Sequence, residues 1–123
     1  MNFRLKTSKS TGEKLTSLQA ATGLTWNILS RIAVSLSLQD SSMPDLVENK
    51  SGVDIHRNAM TGENDYIYKA LIRQHTKRNI TDEEYFPDLF NAHLERGIVL
   101  LENEYKHAGN YEKLLINLIK MEN

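Results

Sequence analysis

Pro87-Asp88, followed by Glu104-Tyr105-Lys106, copies the PD…ExK pattern of metal-dependent nucleases. In that pattern an aspartate and a glutamate hold magnesium while a lysine assists the attacking water. The spacing argues against it here. Both parts fall on one segment of helical period, where 16 residues at about 1.5 Å each separate them by about 24 Å, too far to share a metal. A metal-dependent nickase built on Asp88, Glu104 and Lys106 is therefore the weakest of the readings weighed. Glu104-Tyr105-Lys106-His107 also has the Glu-x-x-His spacing of di-iron helices, but no second such motif faces it. His56, His75, His93 and His107 form no His-x-x-x-His pair, and surface or core roles are the default for each. With no cysteine there is no disulfide, thiolate zinc site or cysteine nucleophile. No glycine loop cradles a phosphate and no Gly-x-Ser-x-Gly elbow is present, so neither catalysis by this chain alone nor a cofactor is expected.

What remains is a chemistry of charge. Arg4, Lys6, Lys9, Lys14 and Arg31 stand against a single acid, Glu13, in the first 39 residues. A second group, Lys69, Arg73, Lys77 and Arg78 with His75 among them, follows a strongly acidic stretch. In blocks, residues 1–39 carry +4, 40–68 carry −4, 69–78 carry +4 and 79–123 carry −5, so a net charge of −1 hides the segregation. Alternating basic and acidic surfaces are ordinary solvated faces in many proteins. They also suit an adaptor that touches phosphate with one side and protein with another. Tyr66 and Tyr68 flank the second group and could stack on bases, although one of the two is expected in the core.

The elements that must position these charges read as mainly α, in a single domain over 1–123 with about five helices and a short N-terminal extended segment. Phe3, Leu5 and Thr7 alternate with Arg4, Lys6 and Ser8, a period of two. Ser10-Thr11-Gly12-Glu13 reads as a capping box opening a helix over about 11–22 that Gly23 stops. Thr25 caps the next, over about 26–38. This order of strand, helix and helix is that of a ribbon-helix-helix unit, in which two chains pair their first strands and Arg4, Lys6 and Ser8 would enter a major groove. Residues 40–64 read as an irregular connection with one helical turn at 45–49. A basic amphipathic helix runs from Asn64 or Asp65 to Asn79. A second capping box at Thr81-Asp82-Glu83-Glu84 gives a single turn before a new helix near Pro87, which ends at Gly109-Asn110. A C-terminal helix follows from Tyr111. No apolar run approaches the roughly 18 residues that span a bilayer, and no secretory signal is seen, so a cytoplasmic, nucleoid-associated place is expected.

Three stretches, FRLKTSKSTGEKLTSLQAATGLTWNILSRIA, GVDIHRNAMTGENDYIYKALIRQH and PDLFNAHLERGIVLLENEY, resemble the DndE family, the small subunits of bacterial DNA phosphorothioation systems. The resemblance covers essentially the whole chain and rests on these long stretches, not on a catalytic motif. It implies work alongside a cysteine desulfurase, an iron–sulfur ATP pyrophosphatase-like subunit and an ATPase that together replace a non-bridging phosphate oxygen of DNA with sulfur. It further implies double-stranded DNA as a partner and a homo-oligomer, a tetramer favoured over a dimer. Nicked duplex is a natural target, because sulfur insertion through an opened phosphodiester would leave a break to be held. The rival expectation is an adaptor that docks the modification subunits through acidic segments 40–65 and 79–104 without touching DNA.

Overall fold

The fold is known from a computed structural model, which describes residues 2–121. Strand β1 (Arg4–Lys6) pairs antiparallel with β2 (Asp54–His56), setting Arg4 opposite His56, Leu5 opposite Ile55 and Lys6 opposite Asp54. Leu5 and Ile55 are buried and their neighbours exposed, the alternation that a two-faced ribbon demands. The ladder extends past both strands: the Arg57 amide donates to the Phe3 carbonyl at 2.7 Å and the Thr7 amide to the Val53 carbonyl at 2.9 Å. The strand–helix–helix order is present, but β1 finds its partner in its own chain. The Lys6 carbonyl on its other side is taken by the Asn91 amide at 2.9 Å. A ribbon shared by two chains would need that edge free.

Helix α1 (Lys9–Thr22) starts earlier than the Ser10–Glu13 capping box implies, because Ser8 caps it, its hydroxyl accepting from the Thr11 amide at 3.1 Å. Ser8 is thus a cap and not a groove-facing residue. Gly23, at φ 77°, ends the helix, and Thr25 caps α2 (Trp26–Leu38). The connection to β2 has no helical turn at 45–49. After β2 come a five-residue helix α3 (Arg57–Thr61), one tight turn over Gly62–Asn64, and α4 (Asp65–Thr76). Helix α4 ends at Lys77 in the left-handed conformation, two residues before Asn79. The second capping box is reciprocal: the Glu84 amide donates to the Thr81 hydroxyl at 3.1 Å, and the Thr81 amide to the Glu84 carboxylate at 3.2 Å. Its turn is broken at Phe86, which is extended and joined to Pro87 by a cis peptide. Helix α5 (Phe90–Ala108) then runs to Gly109, and Asn110 caps α6 (Tyr111–Met121) through the Lys113 amide at 2.9 Å.

Among the described residues, five helices of eleven or more residues therefore gather around one contiguous apolar core. Helix α5 is its axis. It packs most extensively on α2, where a side chain at Gly97 would strike the backbone of Ala33, so glycine is what lets the two helices close. Leu15, Leu29, Leu94, Ile98 and Leu101 fill that layer, while Tyr85, Phe86 and Phe90 form an aromatic plug beneath the ribbon, with centroids 5.6–6.2 Å apart. Among the described residues no helix is long and apolar enough to cross a membrane.

Candidate nucleic-acid interface

The ribbon exposes Arg4 and Lys6 on one side, because Leu5 between them is drawn into the core. Arg4 lies 3.4 Å from Asp54 across the strand pair, a solvent-exposed ion pair of small energetic worth. Lys6 and Lys9 have no ion-pair or hydrogen-bond partner among the described residues. Lys14 reaches back one helical turn to the Ser10 hydroxyl at 2.7 Å. Arg31 is committed to the fold. Its Nε donates to the Met60 carbonyl at 2.6 Å and its Nη2 to the Ala59 carbonyl at 3.1 Å, satisfying the end of α3.

The second basic group divides in the same way. Lys69 sits 3.6 Å from Asp82. Arg78 donates to Glu84 at 2.6 Å, a pair that raises the Arg78 pKa and lowers that of Glu84. Arg73 and Lys77 are exposed and unpaired among the described residues. Tyr66 is 70% exposed, whereas Tyr68 is half-buried edge-on to Phe90 at 5.9 Å, the split expected of the pair. Of the nine basic residues singled out by sequence, Lys6, Lys9, Arg73 and Lys77 are thus left without an ion-pair or hydrogen-bond partner among the described residues.

Two polar clusters escaped the sequence reading. Arg57, 5% exposed, offers all its donors: Nε and Nη2 to Asp65 at 3.0 and 2.7 Å, Nη1 and Nη2 to Asp82 at 3.0 and 2.9 Å, and Nη1 to the Asn2 carbonyl at 3.2 Å. Its plane lies over Tyr85 and Phe86 at 5.1 and 4.9 Å. Donating hydrogen bonds to Asp82 and Asp65 raises the Arg57 pKa against the cost of burial. The Asp82 carboxyl is held low chiefly by its bonds from Arg57. At Asp65 burial pushes the pKa up, and bonds from Arg57, Thr61 and Tyr85 outweigh it, leaving the group below its ordinary value. The cluster pins the start of α3 to the first residue of α4 and to the turn before α5. A cleft of about 350 Å³ opens beside it, lined by Phe3, His56, Asn58 and Gly62, but the guanidinium has no donor left for a ligand there.

The other cluster joins α2 to α5. Ser37 Oγ and His93 Nδ1 are 2.8 Å apart, which resembles a nucleophile and its base. Both residues are fully buried, and Arg96 Nε donates to the same Ser37 oxygen at 2.8 Å, which opposes nucleophilic use. Arg96 also donates to the Ser37 carbonyl at 2.7 Å and the Ser42 carbonyl at 2.8 Å, tying down the end of α2. Burial, with the nearby charges of His75 and Arg96, depresses the His93 pKa to about 4. The nickase triad is dispersed: Asp88 pairs with Lys50 before α5, and Lys106 with Glu102 in its last turns.

Comparison with known proteins places this geometry. A family model described as DNA sulphur modification protein DndE matches residues 4–109. No protein of curated function matches the sequence. Two solved structures share the fold. The crystal structure of DndE from Escherichia coli B7A, involved in DNA phosphorothioation modification, superposes with a TM-score of 0.68 at 21% identity, covering 82% of this chain and 97% of that one. A DndE G21/24K mutant involved in DNA phosphorothioation gives 0.65 at 20% identity, covering 84% and 99%. From strand β1 to the end of α5, this chain belongs to the DndE family, whose role is in DNA sulphur modification.

Proposed function

We infer that this protein is a non-catalytic, DNA-binding accessory subunit of DNA phosphorothioation that acts as a homo-oligomer, a tetramer, on duplex DNA and in particular on nicked duplex. The observation that carries this reading is that Lys6, Lys9, Arg73 and Lys77 have no internal partner among the described residues, on a family member whose other cations are mostly bound to acids, hydroxyls or carbonyls of its own chain. Cations without an internal partner release counterions from DNA at full effect, whereas a lysine already beside an aspartate exchanges one anion for another. Four such contacts bind weakly on one subunit; repetition over several copies raises the phosphate count and the effective concentration of each further contact. Arg4, Lys14, Lys69 and Arg78 stand at the edge of the same reading, since their internal bonds are exposed and readily exchanged. Arg31 contributes to the fold first.

The test is charge removal. Changing Lys6, Lys9, Arg73 and Lys77 together to glutamine is expected to weaken duplex binding at least a hundred-fold in fluorescence anisotropy, while glutamine at the ion-paired Lys50 and Lys106 changes it less than two-fold. Equal loss in both variants would remove these four residues from the interface. No binding by the unaltered chain, even at low salt, would pass the case to the adaptor reading. In that reading the exposed Met43 and Leu46 in the acidic connection become the place to look for a protein partner.

A further inference from the structure

The cleft of about 350 Å³ beside Arg57 combines open aromatic faces with unfilled hydrogen-bonding groups. Phe3, 57% exposed, and His56 both line it, their ring planes 19° apart and their centroids 6.4 Å apart. His56 Nδ1 accepts from the Asn58 amide at 3.1 Å. In the neutral ring the proton therefore sits on Nε2, which has no partner among the described residues. The Asn58 side-chain amide is exposed and equally without a partner there. Asp65 is filled unevenly. Its Oδ1 accepts from Arg57 Nε at 3.0 Å, Thr61 Oγ1 at 2.7 Å and the Tyr85 hydroxyl at 3.0 Å, whereas among the described residues Oδ2 accepts from Arg57 Nη2 alone, at 2.7 Å. A carboxylate oxygen takes two such bonds, so Oδ2 keeps a lone pair for an N–H donor on a side chain that is 30% exposed.

This chemistry selects a flat ring and not a phosphate. The Arg57 donors are taken, so the cleft presents a carboxylate without a free cation beside it. Aromatic faces stack on any base, and an aspartate accepts the exocyclic amine of cytosine, adenine or guanine, a group that thymine lacks. Cations for the attached backbone stand alongside: Arg4 lies opposite His56 in the ribbon, and Lys6 follows on the same outward side. We propose that the cleft is a subsite for one unpaired nucleobase carrying an exocyclic amine, stacked on Phe3 and His56 and bonded through that amine to Asp65 Oδ2. His56 Nε2–H and the Asn58 amide supply donors for acceptor atoms of the same base, and Arg4 and Lys6 hold the flanking phosphates. The subsite deepens the duplex-binding reading above and rests on it. Its volume, at the lower end of the about 300–1,000 Å³ of ligand sites, suits a single base. A base at a strand break keeps one of its two backbone links and leaves the stack at lower cost than a base within an intact strand. The subsite therefore favours a broken duplex.

The test uses nicked duplexes that differ in one unpaired nucleotide at the break: cytosine, thymine or an abasic residue. In fluorescence anisotropy the full chain is expected to bind the cytosine form at least about five-fold tighter than the abasic form, the low end of one base–aromatic stack, with thymine between them. Phe3 is exposed and joins the ribbon through its carbonyl, so its side chain can be changed with the ladder in place. Phe3→Ala should bring the cytosine-to-abasic ratio to about one, and Phe3→Tyr should restore it. Thymine bound as tightly as cytosine would overturn the contact to Asp65. Cytosine and abasic forms bound alike, with duplex binding intact, would overturn the subsite and leave the duplex reading standing. If no DNA binds, the duplex reading falls and deoxycytidine monophosphate decides the cleft by itself. Shifts of the His56 ring protons in NMR spectra that Phe3→Ala abolishes would keep it as a mononucleotide site, and no shift would overturn it.

Discussion

Arg57 shows most plainly how a single side chain organises this molecule. It stands alone with Lys50 in an acidic block, and nothing in that spacing marks it as anything but a surface cation. Its role is visible only once Asp65 and Asp82, eight and 25 positions away, are brought to the same guanidinium. Removing it leaves two half-buried carboxylates facing each other, so Arg57→Ala is expected to cost about 3–5 kcal/mol of stability in urea unfolding. Arg57→Lys should recover only part of this, because an ammonium cannot fork to both acids. His93 was equally silent in the sequence, one of four unremarkable histidines. Its pKa of about 4 in the fold lies below the ordinary 6.5, so the unfolded chain takes up the proton first as pH falls. Its contribution is therefore complete above pH 6.5 and lost between 6.5 and about 4, a drop of about 3 kcal/mol on full titration. Urea midpoints measured from pH 7 to 4 should show that slope, and His93→Gln should flatten it. For the nine candidate DNA-binding residues, the sequence gives type and order along the chain only. What was not legible is that Arg31 would be consumed by carbonyls of α3, because the order of the chain does not reveal that contact.

At the scale of elements, the helices with strong local punctuation were readable. Thr25 and Gly23 set the join of α1 to α2, the Thr81–Glu84 box and Pro87 set the break before α5, and Gly109 with Asn110 set the last turn. Errors came where two signals competed. Ser8 and Ser10 can both cap α1, and the ribbon decides for Ser8 by holding Thr7 in the ladder. Strand β2 is not legible in the sequence although Val53-Asp54-Ile55-His56 alternates as β1 does, because a three-residue strand has meaning only beside its partner. The α2–α5 contact predicts its own weak point. Gly97→Val should force the helices apart at Ala33 and destabilise the fold by about 1–3 kcal/mol or more in thermal or urea unfolding, whereas Val99→Ala, exposed two positions on, should change it by less than 1 kcal/mol.

As a whole molecule, the chain places its polar contacts at the seams. Arg57 ties α3 to α4 and to the turn before α5, Arg31 ties α2 to the end of α3, Arg96 ties α5 to the end of α2, and the apolar core joins α5 to the elements around it. The charge segregation in the sequence survives folding only in part, since Asp82 and Glu84 draw Lys69 and Arg78 into internal pairs. What is left outward is a small set of cations without internal partners, which we propose act by repetition across copies. On the function proposed above, an oligomer of this chain holds duplex DNA through phosphate. The most direct measurement is the salt dependence of binding to intact and nicked duplexes of one sequence, by fluorescence anisotropy on material whose mass is fixed by light scattering. The expected result is a multimer with a log–log slope near −5, corresponding to about six neutralised phosphates, and tighter binding to the nicked duplex. A monomer, or binding that is absent at low salt, would contradict it.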